Sequence, residues 1–178
     1  MHPMLMPKLA TVVYLSACTK QESNATENPI TRSSKQEELN VETQIRQNLV
    51  EIGSQAPIEI HQGFQVSVQR AEHSWLLSIQ HFKEKNTLYF SVNDYLWLDQ
   101  SKSTGNTVAA LTQIATLNHA MLGTKVQLNP ENSGITLSRT IDDRDVTASE
   151  LKTTTEILLS AAEQAHPVLS SAISASRF

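Results

Sequence analysis

Cysteine is nearly absent from this 178-residue sequence: Cys18 stands alone, so no intramolecular disulfide can staple the fold. Glycine is scarce as well, with five in all, which leaves little room for loops that cradle phosphate. No GxSxG, P-loop or GxGxxG pattern occurs. Charged residues make up 18% of the chain, below the usual share of about a quarter, while Ser, Thr, Asn and Gln are abundant. The net charge of −4 and the pI near 5.8 argue against the basic patch of a nucleic-acid binder. No long hydrophobic run is present near the start, where Leu9 to Leu15 falls far short of the roughly 20 residues a membrane-spanning helix needs. What remains suits one domain. A domain of about 140 residues buries roughly two-thirds of its unfolded surface and folds without disulfide or metal.

The amino end follows a recognisable plan. Lys8 precedes the apolar stretch Leu9-Ala10-Thr11-Val12-Val13-Tyr14-Leu15, and small residues lead to Cys18. Charge, short apolar run and small residues are the parts of a secretory signal peptide, here residues 1–17. Leu15-Ser16-Ala17-Cys18 resembles the bacterial lipobox, which implies lipidation of Cys18 and display in the cell envelope on acyl chains, each methylene contributing about 0.8 kcal/mol. Lys20 stands where an aspartate would signal inner-membrane retention, so the outer membrane is favoured. Residues 18–35, "CTKQESNATENPITRSSK", carry one Ile and no other large apolar residue, and read as a flexible tether. The alternative is a cytosolic protein with a misassigned start, in which Cys18 is an ordinary thiol.

The periodicity of residues 36–178 predicts a single α+β domain. Val41, Ile45, Leu49 and Ile52 recur at helical spacing over Gln36–Ile52, with Gly53 as a good residue just past the helix end. After Pro57 the period becomes two. Phe64, Val66 and Val68, then Trp75, Leu77 and Ile79, then Leu88, Phe90 and Val92 predict three antiparallel strands joined by the short polar turns 71–74 and 83–86. A polar loop, Asp99 to Asn106, leads to a second helix capped by Thr107. Val108, Leu111, Ile114, Ala115, Leu117, Met121 and Leu122 form its apolar face, and Gly123 ends it. Val126 and Leu128, then Ile135 and Leu137, predict two more strands around the turn residues Asn129 to Gly134. Thr147-Ala148-Ser149-Glu150 fits a capping box opening a last helix, which Pro167 should kink or restart. The order α-β-β-β-α-β-β-α implies a five-stranded antiparallel sheet with helices packed on one side.

That order, with "LTQIATLNHAMLGTKVQLNPENSGITLSRTI" at its centre, resembles the type III secretion chaperone fold, in either its CesT/Tir-chaperone or its YbjN-like branch. The resemblance spans about Gln36 to Ile173. It implies a small acidic homodimer that binds an extended segment of another protein, a secreted effector or an envelope client. It also implies that the second helix takes part in dimerisation, with Val108, Leu111 and Ile114 at the interface. Secretion chaperones are cytosolic, so lipidation at Cys18 would mean reuse of the fold as an envelope binding module. Exposed sheet edges offer one route for a client, by addition of a strand.

Few constellations point to chemistry. His61, His73 and His81 fall near strand ends and are candidates to converge, but the histidines lack HxxxH or HExxH spacing and are expected to be solvated. Asp142-Asp143-Arg144-Asp145 lacks the spacing of a calcium loop and reads as a solvated turn. Ser74 beside His73 is adjacency without triad geometry. No cofactor, metal or catalytic residue is expected, and the chain is read as a non-enzyme. Tyr95-Leu96-Trp97-Leu98 is a compact apolar patch. It either closes the core beneath the second helix or offers Tyr95 and Trp97 as anchors for a partner, since both residue types are enriched at binding hot spots.

Overall fold

The computed structural model describes residues 34–98, 104–129, 133–144 and 146–174. Cys18, the signal-type segment 1–17, most of the tether and the polar loop before the second helix lie outside the described residues. So do 130–132 of the proline-containing turn and Asp145. Everything below concerns the unit Arg32–Phe178.

The chain opens with helix α1, Ser34–Ile52. Strands β1 (Ile58–Ile60), β2 (Gly63–Arg70), β3 (His73–Phe82) and β4 (Thr87–Trp97) follow, with a single 3-10 turn at Lys83–Lys85. Helix α2 (Thr104–Ala120), strands β5 (Thr124–Leu128) and β6 (Gly134–Asp142), and helix α3 (Ala148–Ser174) complete the order. The strands form one antiparallel sheet in the order β1-β2-β3-β4-β6-β5.

The expected α+β architecture is present, with six strands where the sequence predicts five. The additional strand is β1, Ile58-Glu59-Ile60, which turns back onto β2 through His61 and Gln62. Its residues are exposed or half-buried, so three residues give no alternating signal to read. Strand β3 starts at His73, because the turn takes only Ala71 and Glu72, with Ala71 at φ 49°. Helix α2 begins at Thr104, so Thr107 is inside it and is not its cap.

Register places the alternating apolar residues on one face. Val68 lies opposite Trp75, Val66 opposite Leu77, and Leu77 in turn opposite Val92, which faces Leu137. That face packs against the helices, and its Leu77, Ile79, Leu88, Phe90 and Leu137 have no exposed surface. Burying side chains of this size contributes about 1.5–3 kcal/mol each. α1 adds Ile45 and Leu49, and α3 adds Leu151, Leu158, Ala162 and Leu169, all fully buried. Among the polar contacts that cross this interior, Asn48 Nδ2 donates to Thr155 Oγ1 at 3.0 Å, tying α1 to α3.

Gly53 is needed for close approach: a Cβ there would stand 2.2 Å from Val66 Cγ2. Gly123, at φ +74°, makes the left-handed turn from α2 into β5. The cap of α3 is as the sequence predicts, with Glu150 N–H donating to Thr147 Oγ1 at 3.2 Å. Pro167 does not divide α3, which runs unbroken through it. Proline removes the donor that Glu163 C=O would have used. Neighbouring bonds stabilise the region: the Tyr95 hydroxyl donates to Ala162 C=O, and Ser170 Oγ donates to His166 C=O at 2.7 Å.

Candidate protein-interaction surface

The two sheet edges are the first places to look for a partner, because the resemblance implies strand addition. Both are closed. On β5, the Asn118 side chain from α2 takes both outward backbone groups of Val126: Oδ1 accepts from the N–H at 2.6 Å and Nδ2 donates to the C=O at 2.9 Å. A side-chain amide thus occupies the place of an incoming strand. At the other edge β1 is three residues long, follows Pro57, and carries Glu59, paired with Arg46 at 3.8 Å. Short length, proline and charge are the usual means of blunting an edge. Beyond the end of β1, Ser54 covers the outward Ser67 C=O with its N–H at 2.9 Å and its hydroxyl at 3.0 Å. Strand addition is therefore the weaker route.

The sheet face opposite the helices is polar. Gln65, Ser78, Ser91, Ser138 and Lys125 form one cross-strand row over five strands. The serines satisfy each other and their neighbours: Ser78 and Ser91 hydroxyls are 3.0 Å apart, and Asn93 Nδ2 donates to Ser78 Oγ at 2.5 Å. Small side chains between longer ones are buried here: Ser78, Ser91 and Ser138.

Helix α2 differs from its companions. Its seventeen residues, TGNTVAALTQIATLNHA, include no Asp, Glu, Lys or Arg. Apolar residues occur all round it, the pattern of a helix buried on more than one side. Ala110 and Ile114 face the domain interior, with Leu117 and Met121 packed at its margin. Val108 is 58% exposed and Leu111 45% exposed on the outer side. Thr112 and Thr116 turn their hydroxyls back onto the carbonyls of Val108 and Thr112, at 2.8 and 3.0 Å, which withdraws polar groups from that side. Just past the helix, Leu122 is 91% exposed. It stands beside an open groove of about 630 Å³ between the end of α2 and α3, lined by Met121, Thr124, Glu156, Ile157, Ala161 and Gln164 among others. A charge-free helix face, with a partly apolar groove at the end of the same helix, has the composition of a protein-interface core.

Of the residues singled out from sequence, Val108 and Leu111 are on this outer face, whereas Ile114 points into its own domain. Tyr95 is a correction. It is buried, its ring meets Trp75 and His166, and its hydroxyl is used by Ala162, so it is part of the core and not a surface anchor. The β4 strand shifts register between Val92 and Leu96, which turns Tyr95 inward with Leu96 and leaves Trp97 half exposed. An irregularity of that kind leaves no mark in a period-two pattern. Burial pushes the Tyr95 phenol well above its ordinary pKa, so it stays a donor.

The histidines do not converge. His61 is exposed, His81 Nε2 meets Asp143 Oδ2 at 2.6 Å, and His73 packs at a tilt against His166 with ring centroids 3.9 Å apart. Both pairings join residues distant in sequence, so spacing alone gives no sign of them. The Arg144 side chain is folded onto Asp142, Nε to Oδ1 at 2.9 Å, and holds that carboxyl down at about 2. Ser74 bonds Ser67, oxygen to oxygen at 3.0 Å. Among the described residues no cluster of three His, Cys, Asp or Glu side chains is arranged to hold a metal, and no helix is long and apolar enough to cross a membrane.

No protein-family model matches this sequence, and no curated protein does. Solved structures match in fold. A chain of the ExsC–ExsE complex superposes with a TM-score of 0.55 at 15% identity, covering 74% of this chain and 94% of its own. A chain of the HopA1–SchA chaperone–effector complex gives 0.51 at 12% identity, covering 72% and 94%. YbjN from E. coli gives 0.52 at 13% identity, covering 72% and 89%. At these identities the likeness is one of fold: this chain has the α+β fold found in that chaperone–effector complex, in the ExsC–ExsE complex and in YbjN.

Proposed function

We propose that this chain is a non-enzymatic, chaperone-like module that pairs with a second copy of itself and holds a segment of another protein. One observation carries the reading: α2 presents an exposed face free of charge, and the groove beside Leu122 opens at the end of the same helix. The fold it shares with a chaperone–effector complex supports a polypeptide as the ligand. Because both edges are closed, the client is held by side-chain contact in the α2–α3 groove and not by a shared sheet. Val108 and Leu111 then form the contact between copies.

The test is hydrodynamic. Sedimentation of the wild type is expected to give a dimer, and Leu111→Glu a folded monomer. A wild type that sediments as a monomer at high concentration overturns the dimer. For the client, a photo-reactive side chain at Leu122 should capture one recurrent protein other than the chain itself; capture of nothing but its own copy removes the groove as a client site.

The lipobox-like tetrapeptide supports display of the module in the cell envelope through Cys18, with the outer membrane favoured. A cytosolic secretion chaperone is the other reading. Metabolic labelling with a palmitate analogue separates them: label lost in Cys18→Ala supports the anchor, and an unlabelled wild type places the protein in the cytosol.

A further inference from the structure

His73 opens β3 and His166 stands in α3 immediately before Pro167. Their rings lie 3.9 Å apart at an interplanar angle of 36°. Trp75 stacks with His73 at 5.8 Å, and Tyr95 meets His166 edge-on at 5.7 Å. Four rings from β3, β4 and α3 thus close the end of the core over which the last turns of α3 pass. We propose that the closely packed His73–His166 pair is an acid-released latch that holds the end of α3, from Ala165 onward, against the sheet.

The argument is electrostatic. Two neutral imidazoles pack without cost, whereas two imidazolium rings at this distance repel across a partly water-free contact. The charged groups around them do not cancel that repulsion. Arg70, opposite His73 on β2, is itself a cation and is bound by Glu156 of α3, Nη2 to both carboxylate oxygens at 2.6 Å. Glu72 in the turn and Glu163 in α3 are exposed. Among the described residues neither imidazole is in an ion pair. Burial, and then the neighbouring His73, hold His166 below its ordinary value of 6.5. The sign follows: the unfolded or released segment binds the proton more readily, so the latch is at full strength above 6.5 and weakens as pH falls through that value.

The segment is built to come away as a unit. Pro167 has already removed one helix hydrogen bond, at Glu163 C=O. Among the described residues beyond it only Leu169 is fully buried, Ile173 is partly buried against the core, and Val168 is 40% exposed. Release would uncover Leu169, Trp75 and Tyr95, an apolar patch on the surface of the acidified protein.

Hydrogen exchange on the full chain, read segment by segment from pH 7.5 to 5, tests this. Protection of residues 165–174, corrected for the intrinsic pH effect, should fall about tenfold per pH unit below the midpoint for each extra proton taken up, while β4 keeps its protection. His166→Gln and His73→Gln should each flatten that dependence. Equal loss of protection in β4 and in 165–174 would mean global acid unfolding and sink the latch. So would a pH-independent wild type, or an undiminished pH dependence in either variant. If one variant does not fold, the other and the wild-type profile still decide.

Discussion

At Tyr95 one side chain makes two kinds of contact. Its ring fills the space between Trp75 and α3, and its hydroxyl reaches Ala162 C=O one turn before the proline. Tyr95→Phe keeps the ring and removes one hydrogen bond, so a loss of about 1 kcal/mol in chemical denaturation is expected. Tyr95→Ala also empties the site and should cost about 3–5 kcal/mol. A smaller loss for Ala than for Phe would show that the core placement is wrong. Trp97 is the control: half exposed two residues away, its change to Ala should move stability by no more than about 0.5 kcal/mol. The two residues are equivalent as hydrophobic letters in Tyr95-Leu96-Trp97-Leu98. The bulge in β4 that separates their fates depends on pairing with β6, which a local pattern does not contain.

Among the elements, α2 and β5 form the unit that matters for association. Asn118 is polar at a position of the helix that points to neither core nor solvent alone, and its amide replaces a whole strand partner for Val126. Asn118→Ala should lower stability by about 1–2 kcal/mol through two lost hydrogen bonds. It should also free the β5 edge, seen as concentration-dependent association in light scattering. Unchanged melting and an unchanged particle size would show that this edge needs no guard. The strands of the central meander were legible because their side chains alternate cleanly between an apolar and a polar face. β1 was not, being too short to alternate, and Thr107 was misread as a cap because residues ahead of it continue the helix.

For the whole molecule, the argument turns on where exposed apolar surface is left once the sheet has been covered. α1 leaves Val50 exposed and α3 leaves Ile157 and Val168, while α2 leaves Val108 and Leu111 outside, with Leu122 just past its end. At concentrations too low for the wild type to pair, Leu111→Glu should leave the stability of the domain within about 0.5 kcal/mol, because the side chain already faces water in a single copy. It should abolish dimerisation, because an interface core tolerates no unpaired charge. Ile114→Ala should do the reverse, costing about 2–5 kcal/mol of stability through a core cavity. If Leu111→Glu unfolds the domain instead, α2 is packed differently from the arrangement described here.

Alternation of side chains and the placement of turns determined the sheet, the helices and the residues of the core, since period two and period 3.6 are local consequences of backbone geometry. The absence of charge along α2 was equally a property of the sequence. Which of its apolar residues stay outside was decided only in three dimensions, because a helix with apolar residues all round gives no preferred face until the sheet claims one. The same holds for the closed edges, for the His81–Asp143 contact and for the packing of His73 against His166. Each joins groups many residues apart, and the distance between them is set by strand register and helix docking, which no stretch of sequence records by itself.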